Sequence, residues 1–256
     1  MSFFYEWIFR VWYRYINNLD KNAEILFMNY GYVDPASQPD MKADDEPNRY
    51  SVQLYHLLGT ATDMKNKDIA EIGCGRGGGL SYIMRTFEPE TALGIDLDEN
   101  AVKFCKKNYP HKGLSFEKGD AQDLSFLPDH SFDIILNNES SHRYPRMDLF
   151  LQEVQRLLRP GGYFLFSDFR SDQNMENLKQ LVRSSDLAVL REKDITSNVL
   201  KAMEADDQRK RQLVKKLIPF FIQKIALNFA GTVGSETYNR FATRKYQYFH
   251  YVMKKK

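Results

Sequence analysis

Short apolar segments alternate with amphipathic segments through the middle of the chain. The apolar segments have the length of strands, and between them apolar residues recur at helical spacing. The predicted strands are Asp68–Ile72, Thr91–Asp96, Leu114–Lys118, Phe132–Asn137 and Tyr163–Phe169. The predicted helices are Gly78–Arg85, Glu99–Asn108 and Met147–Leu158, the last ended by a turn at Arg159–Gly162. This alternation predicts crossover units and a parallel sheet with helices on its faces.

The two ends of the chain add helices and two more strands. The further predicted elements are helices over 4–15, 48–60 and 174–184, a strand over 187–193, a helical insertion over 195–229 and a strand over 246–253. We therefore predict an α/β fold with a Rossmann-like, seven-stranded, mostly parallel sheet and helices on both faces. The expected divisions are an N-terminal helical cap (1–65), the core (66–194), a helical lid insertion (195–240) and the final strand of the core sheet (241–256).

The amino-acid composition adds one unusual feature to this picture, a high content of aromatic residues. The 256 residues carry 36 Lys and Arg against 34 Asp and Glu, so the net charge of +2 gives no indication of a nucleic-acid partner. Two cysteines, no apolar segment of membrane-spanning length and no signal peptide together predict a cytoplasmic protein without a transmembrane segment. The unusual feature is the content of 18 Phe and 15 Tyr, which concentrate towards both ends.

A glycine-rich turn directly follows the first predicted strand of the core. Gly73, Gly75 and Gly78 have the G-x-G-x-x-G spacing between a strand and a helix. Glycine at these positions permits a sharp turn and lets a nucleoside-containing cofactor approach the backbone. Tight turns between a strand and a helix also use glycine, so the spacing alone does not identify a cofactor site.

Polar residues follow the next three predicted strands. Asp96 ends the second strand, where its carboxylate either accepts the hydroxyls of a ribose or caps the following helix. Asp120 follows the third strand, and Asn137 and Glu139 lie at the end of the fourth. Because the carboxyl ends of parallel strands meet at one edge of a sheet, these residues predict a ligand crevice there.

With these motifs the chain resembles class I S-adenosylmethionine-dependent methyltransferases. The segments that carry the resemblance are Glu71–Gly77, Gly94–Asp96, Gly119–Ala121 and Leu157–Tyr163. It implies that 66–194 binds S-adenosylmethionine, with the acid of the first segment near the methionine amino group and the acid of the second on the ribose. The residues implied to contact the cofactor are Glu71, Gly73, Cys74, Gly75, Gly77, Asp96, Leu97, Asp120, Ala121, Asn137 and Glu139.

A narrower resemblance covers nearly the whole chain. Asp45–Arg49, Leu54–His56, Gly77–Tyr82, Arg85-Thr86 and Glu139–Pro145 are similar to segments of bacterial lipid O-methyltransferases of the phthiotriol/phenolphthiotriol dimycocerosate and fatty-acid types. This resemblance implies a hydrophobic small-molecule or lipid acceptor. The residues that it implies as contacts to the substrate are Arg49, Tyr55 and Tyr144.

His142 is the candidate catalytic residue because it follows the fourth strand at the expected crevice. An imidazole titrates in the range that suits a general base for a hydroxyl acceptor. A carboxylate acceptor is already ionised and needs no base, in which case His142 would orient it; a structural role is the remaining alternative. The other histidines and both cysteines lack metal-ligand spacing, so no metal is expected.

The aromatic residues near both ends either line an apolar acceptor tunnel or pack the lid onto the core. They are Phe4, Tyr5, Trp7, Trp12, Phe27, Tyr30, Tyr32, Phe220, Phe221 and Phe229. The basic segment Arg209–Lys216 and the apolar segment Leu217–Ile222 form either a solvated helix face or a site of transient contact with an anionic membrane surface.

These features together predict a methyltransferase that acts by in-line displacement on a hydroxyl or carboxyl of a hydrophobic or lipid-like molecule. Three alternatives remain at this point. The acceptor atom is carbon or nitrogen of a quinone- or sterol-like molecule; the chain binds S-adenosylmethionine without catalysis; or, from the glycine spacing alone, it is a nicotinamide-dependent oxidoreductase. The sequence makes no prediction of the oligomeric state.

Overall fold

The computed structural model of the protein describes residues 23–36 and 39–256. At its centre is a seven-stranded sheet with the strand order β3-β2-β1-β4-β5-β7-β6. The strands are β1 (Asp68–Ile72), β2 (Thr91–Asp96), β3 (Leu114–Lys118), β4 (Phe132–Asn138), β5 (Leu158–Ser171), β6 (Leu187–Asp194) and β7 (Tyr246–Lys255). The helix predicted over 4–15 lies outside the described residues.

The pairing of the strands confirms the predicted Rossmann-like fold. Strand β1 pairs in parallel with β2 on one side and with β4 on the other, while β7 runs antiparallel between β5 and β6. The chain builds the sheet outwards from β1 to β3, then returns to the other side of β1 and continues through β4 and β5. In open sheets of this kind a ligand crevice forms where the direction of building reverses, at the carboxyl ends of β1 and β4.

Helices cover both faces of the sheet. They are α1 (Arg49–Gly59), α2 (Gly78–Phe87), α3 (Glu99–Asn108), α4 (Met147–Leu157), α5 (Asp172–Arg183), α6 (Thr196–Ala205), α7 (Asp207–Leu217), α8 (Gln223–Phe229) and α9 (Glu236–Ala242). Ile69 of β1 packs in a core with α1, α2 and α3, whereas the adjacent Ala70 and Ile72 pack in a second core with α4 and α5. Successive side chains of a strand point to opposite faces, and because both faces are covered, β1 and β4 are buried almost throughout.

Two predicted elements differ in detail from the observed ones. The turn predicted at Arg159–Gly162 lies inside β5 as an irregularity, because Leu158 pairs with Phe132 whereas Tyr163 pairs with Ile134. The helical insertion is divided into α6, α7 and α8. It breaks at Pro219, since proline disfavours a helical conformation of the preceding residue.

The described part of the amino-terminal region includes a strap, residues 24–33, which has no regular secondary structure. Tyr32 of the strap packs in a third core with α1, α6, α9 and β7. The strap therefore connects α1 to the helices that lie between β6 and β7. Within the described ranges, every helix is too short or too polar to cross a membrane.

Candidate active site

A cavity of about 1050 Å³ opens at the carboxyl ends of β1 to β5. Its wall combines the glycine turn after β1, residues at the ends of the other four strands, the strap and one side of α5. Ligand cavities in proteins usually measure about 300 to 1,000 Å³, so this volume admits a cofactor together with part of a second molecule.

The glycine turn and Asp96 form a preorganised unit on this wall. Gly73 has a φ of +79°, and a Cβ at this position would lie 2.3 Å from the hydroxyl oxygen of Ser140. Gly75, also at positive φ, donates its main-chain N–H to Oδ2 of Asp96 at 2.8 Å, while Asp98 donates to Oδ1 at 2.9 Å. Each carboxylate oxygen is thus held in place by one donor and keeps a lone pair for a ligand. Burial raises the pKa of Asp96 above its ordinary value.

Several buried polar atoms near this unit have no hydrogen-bond partner among the described residues. They include Oε2 of Glu71 and both polar atoms of the Asn138 side chain, which lines the cavity. Oε1 of Glu71 accepts a hydrogen bond from the hydroxyl of Tyr55 at 2.7 Å. A buried polar group without a partner costs about 1–3 kcal/mol, so these atoms fit a ligand that carries an ammonium group and further polar atoms. The amino-acid part of S-adenosylmethionine has this chemistry.

The ionisation of Glu71 leads to a prediction about stability. Burial raises the pKa of this side chain from 4.5 to about 8, while the hydrogen bond from Tyr55 lowers it by less. Between these two pH values the unfolded chain binds fewer protons at Glu71 than the folded chain. Folding stability therefore falls as pH rises through this window.

We expect Glu71→Gln to reduce that fall by up to about 1.4 kcal/mol per pH unit, because glutamine does not ionise. Urea unfolding of both proteins between these pH values measures the difference. Glu117→Gln, at an exposed position on β3, is the matched control and should keep the wild-type slope. Parallel pH profiles of wild type and Glu71→Gln would contradict the assignment.

His142 and Asp168 form a hydrogen-bonded pair on the cavity wall. Nδ1 of His142 lies 2.8 Å from Oδ1 of Asp168, and the main-chain N–H of His142 donates to Oδ2 at 2.9 Å. The two residues meet because the short 3₁₀ helix Ser141–Arg143 follows β4 and Asp168 lies on the neighbouring strand β5. Arg143 donates its Nε–H to Nε2 of His142 at 3.1 Å. These contacts specify a neutral imidazole whose proton is on Nδ1 and whose Nε2 is basic.

Electrostatics support this protonation state. Burial lowers the pKa of His142 and outweighs the opposite effect of Asp168. Burial alone would raise the pKa of Asp168, but His142 and Arg170 hold it well below its ordinary value. Arg170 lies 3.1 Å from Oδ2 of Asp168 and also donates to the Ser141 hydroxyl at 2.7 Å. Asp168 therefore remains a carboxylate that fixes the orientation of the imidazole.

Glu139 connects this wall to the strap. It adopts a left-handed conformation with a φ of 52°. Its Oε2 accepts hydrogen bonds of 2.9 Å from the main-chain N–H of Tyr30 and from the hydroxyl of Tyr248. Burial raises its pKa to about 8. The strap is also held by Arg76, which is 1% exposed and donates to the carbonyl oxygen of Ile25.

Most residues implied by the sequence meet at the cavity. Those that line it are Tyr55, Gly73, Cys74, Gly75, Asp96, Leu97, Asp120, Ala121, Glu139, His142 and Tyr144. Glu71, Gly77 and Asn137 lie behind the wall instead. Asn137 is fully buried and donates to the carbonyl oxygen of Ile72 at 2.7 Å, so its side chain supports the glycine turn from behind.

Arg49 is not brought to the cavity. It begins α1 and forms an ion pair of 2.7 Å with Glu46, and the cavity wall does not include it. The sequence prediction also omits Asp168 and Arg170 from the site. The sequence feature that identified Asp96, a polar residue at the carboxyl end of a strand, could have identified both of them as well.

The aromatic residues predicted for the lid divide into four groups. Phe4, Tyr5, Trp7 and Trp12 lie outside the described residues. Phe27 lines the cavity, whereas Tyr30 and Tyr32 pack in the third core. Phe220 and Phe221 are 87% and 77% exposed, and neither they nor Phe229 line the cavity. The described part of the chain therefore does not contain an acceptor tunnel formed by all of these residues.

Comparison with known proteins adds three findings. A family model described as a methyltransferase domain matches residues 63–218. A fatty-acid O-methyltransferase of Mycolicibacterium smegmatis is 42% identical over 82% of this chain and 77% of its own length. A phthiotriol/phenolphthiotriol dimycocerosates methyltransferase of Mycobacterium tuberculosis is 38% identical over 91% of this chain and 86% of its own.

Solved structures show the same fold. The crystal structure of the [4+2]-cyclase SpnF superposes with a TM-score of 0.72 over 95% of this chain and 93% of its own, at 18% sequence identity. At this identity the similarity concerns the architecture alone.

Proposed function

Because this chain belongs to the methyltransferase domain family, we propose that it transfers a methyl group from S-adenosylmethionine to an oxygen atom of a lipid-like acceptor. The observation that carries the choice of oxygen is the Asp168–His142 pair on the wall of the cavity. A hydroxyl gains from a general base held in this way, because the base takes the proton that the oxygen loses as it attacks the methyl group.

The cofactor would occupy the part of the cavity next to the glycine turn. When bound, S-adenosylmethionine supplies an electrophilic methyl group on a sulfonium. Asp96 would accept the two ribose hydroxyls, and Glu71 would lie close to the ammonium group. Asp120 and Ala121 line the wall at the end of β3 and would contact the adenine ring of the cofactor. These roles rest on the two lone pairs of Asp96 and on the unpaired oxygen of Glu71.

The acceptor would enter the part of the cavity between His142 and α5. Leu178 and Leu181 of α5 and Met147 of α4 supply an apolar wall there. A hydroxyl of the acceptor would replace Arg143 as the hydrogen-bond partner of Nε2 of His142. Nε2 would then take the proton of this hydroxyl as the hydroxyl oxygen attacks the methyl group. Asp168 stabilises the imidazolium that forms. The names of the two bacterial relatives support a lipid-like acceptor.

A carboxylate acceptor is the second candidate, and a specific observation favours it. The guanidinium group of Arg143 contacts Nε2 of His142, and that of Arg170 pairs with Asp168, the partner of Nδ1. A fatty-acid carboxylate would find positive charge at this position and would need no base. In that case His142 orients the acceptor, and the product is a methyl ester.

The test is transfer of a tritiated methyl group from S-adenosylmethionine to a panel of acceptors. The panel contains a long-chain fatty acid, a long-chain alcohol and a quinone. Mild alkali releases the label as methanol from an ester, whereas an ether and a C-methyl product keep it. Label in an ester or ether supports O-methylation; label only on carbon, or no transfer to any acceptor, would contradict it.

We also propose that the strap and the helices between β6 and β7 act together as a lid over the site. Support comes from the contacts that join them: the main-chain N–H of Val33 donates to the carbonyl oxygen of Asn198, and Glu24 pairs with Lys216. Leu26, Phe27 and Met28 of the strap line the cavity.

A further inference from the structure

An apolar projection with exposed aromatic side chains extends from the helices between β6 and β7. This aromatic tip, residues 218–225, joins α7 to α8 and contains the 3₁₀ helix Phe220–Ile222. Phe220 is 87% exposed, Phe221 is 77% exposed and Ile225 is 49% exposed. Exposed aromatic pairs of this kind are uncommon on a soluble surface and mark sites of interaction.

The exposure of these side chains is built into the local structure. Ile218 and Ala226 are buried in a small core with Val214, and Ile222 packs against it. The inward positions of the tip are therefore already filled by aliphatic residues. Phe220 and Phe221 add nothing to that core and remain exposed.

The segment of the chain that contains the tip carries charged side chains of one sign only. Residues 208–235 contain no Asp or Glu. The basic residues of this segment are Arg209, Lys210, Arg211, Lys215, Lys216 and Lys224. Arg209 and Arg211 are paired with acidic residues at the start of α7, and Lys216 is paired with Glu24. Lys215 and Lys224, which flank the tip, are exposed and form no ion pair with any described residue.

The aromatic tip is continuous with the wall of the active-site cavity. Ile25 of the strap packs against the small core beneath the tip. Its carbonyl oxygen accepts the hydrogen bond from Arg76, which lines the cavity, and Leu26 directly after it lines the cavity as well. A surface bound by the tip would therefore lie next to the lid of the site.

We propose that the aromatic tip docks on an anionic lipid bilayer. Phe220, Phe221 and Ile225 would enter the boundary between headgroups and acyl chains, while Lys215 and Lys224 contact anionic headgroups. A second copy of the chain fits less well, because a symmetric contact would bring the same lysines of both copies together. This docking rests on the proposed function, because it would serve to bring the enzyme to a lipid-like acceptor that is located in the bilayer.

Sedimentation with vesicles tests the docking. The vesicles contain phosphatidylcholine alone or phosphatidylcholine mixed with phosphatidylglycerol, and binding is measured at low and high salt. We expect the wild-type protein to bind the mixed vesicles at low salt. Phe220→Ser with Phe221→Ser should weaken that binding by about tenfold or more. Lys215→Glu with Lys224→Glu should weaken it and remove its dependence on salt.

Two matched controls separate the tip from general surface effects. Leu190→Ser changes an apolar side chain that is 56% exposed on the edge strand β6, and Lys107→Glu reverses an exposed charge on α3. Both should bind vesicles as the wild type does. Absence of wild-type binding to the mixed vesicles at low salt would overturn the proposal, as would equal binding by the double phenylalanine variant.

Two further measurements distinguish the remaining outcomes. If the phenylalanine substitutions change the molecular mass of the protein in solution, a second copy covers the tip and the proposal is wrong. Methyl transfer to a short-chain, water-soluble acceptor reports on the proposed function without vesicles, and the double phenylalanine variant should retain it. Vesicle binding without any methyl transfer would reject the proposed function alone, and methyl transfer without vesicle binding would reject the docking alone.

Discussion

His142→Ala is expected to lower kcat for a hydroxyl acceptor by about 10²- to 10⁴-fold, the usual contribution of a positioned general base. The affinity for S-adenosylhomocysteine should remain unchanged, because Asp96 and the glycine turn, not the imidazole, would hold the cofactor. Single-turnover methyl transfer measures the first quantity and titration calorimetry the second. His111→Ala, in the loop before β3 at the opposite edge of the sheet, is the matched control and should keep full activity.

Asp168→Asn tests the second member of the Asp168–His142 pair, the carboxylate that holds the imidazole proton on Nδ1. An asparagine can donate to Nδ1 of His142, which would move the imidazole proton to Nε2 and remove the base. We therefore expect a loss close to that of His142→Ala. Unchanged kcat in His142→Ala would eliminate the base. A loss in His142→Ala that is absent from Asp168→Asn would show that the histidine orients the acceptor without accepting a proton.

The pH dependence distinguishes the two candidate acceptors. The pKa of His142 is lowered by burial, so the imidazole is neutral at neutral pH and gains a proton only below its ordinary value of 6.5. With a hydroxyl acceptor, kcat should be constant around neutral pH and fall once pH drops below that value. With a carboxylate acceptor this fall should be absent, because the nucleophile is already ionised there.

Asp96→Ala is expected to weaken the binding of S-adenosylmethionine by about 100-fold or more. Two hydrogen bonds from ribose hydroxyls to a carboxylate are each worth about 1.5–3 kcal/mol, and their loss accounts for this factor. The substitution also removes the acceptor of the Gly75 N–H, which loosens the glycine turn. Calorimetry measures the dissociation constant. Asp123→Ala, at an exposed carboxylate after β3, is the control and should bind as the wild type does. Equal affinities of Asp96→Ala and wild type for S-adenosylmethionine would show that the cofactor does not bind in this part of the cavity.

The sequence predicted the fold closely because the information needed for it is local. The bounds of β1, β2 and β3 agree with those predicted from short apolar segments. The resemblance to S-adenosylmethionine-dependent methyltransferases, carried by the glycine turn and the residues at the strand ends, is confirmed by the family model and by the two relatives.

Local information also has clear limits in this chain. Arg49 lies in a segment that is similar to lipid O-methyltransferases, yet its side chain pairs with Glu46, away from the cavity. Phe220 and Phe221 fit a pattern of buried helical aromatics, but the turn that contains them already has its inward positions filled by aliphatic residues. An apolar pattern shows that a side chain prefers burial; whether the fold provides a place for it depends on what else packs there.

The sequence alone determined that the carboxyl ends of β1 to β4 form the site, because parallel strands align these ends whatever the details of packing; the end of β5 was recognised only in the structure. Only the tertiary structure decided the partners of the site residues. Asp168 follows His142 by 26 residues, and the two meet because β4 and β5 are neighbours in the sheet. Likewise, packing of α1 against the first core brings Tyr55 to Glu71 and leaves one buried carboxylate oxygen unpaired. Hydrogen-bond partners and pKa shifts depend on burial and on distances across the sheet, and the order of residues along the chain contains neither.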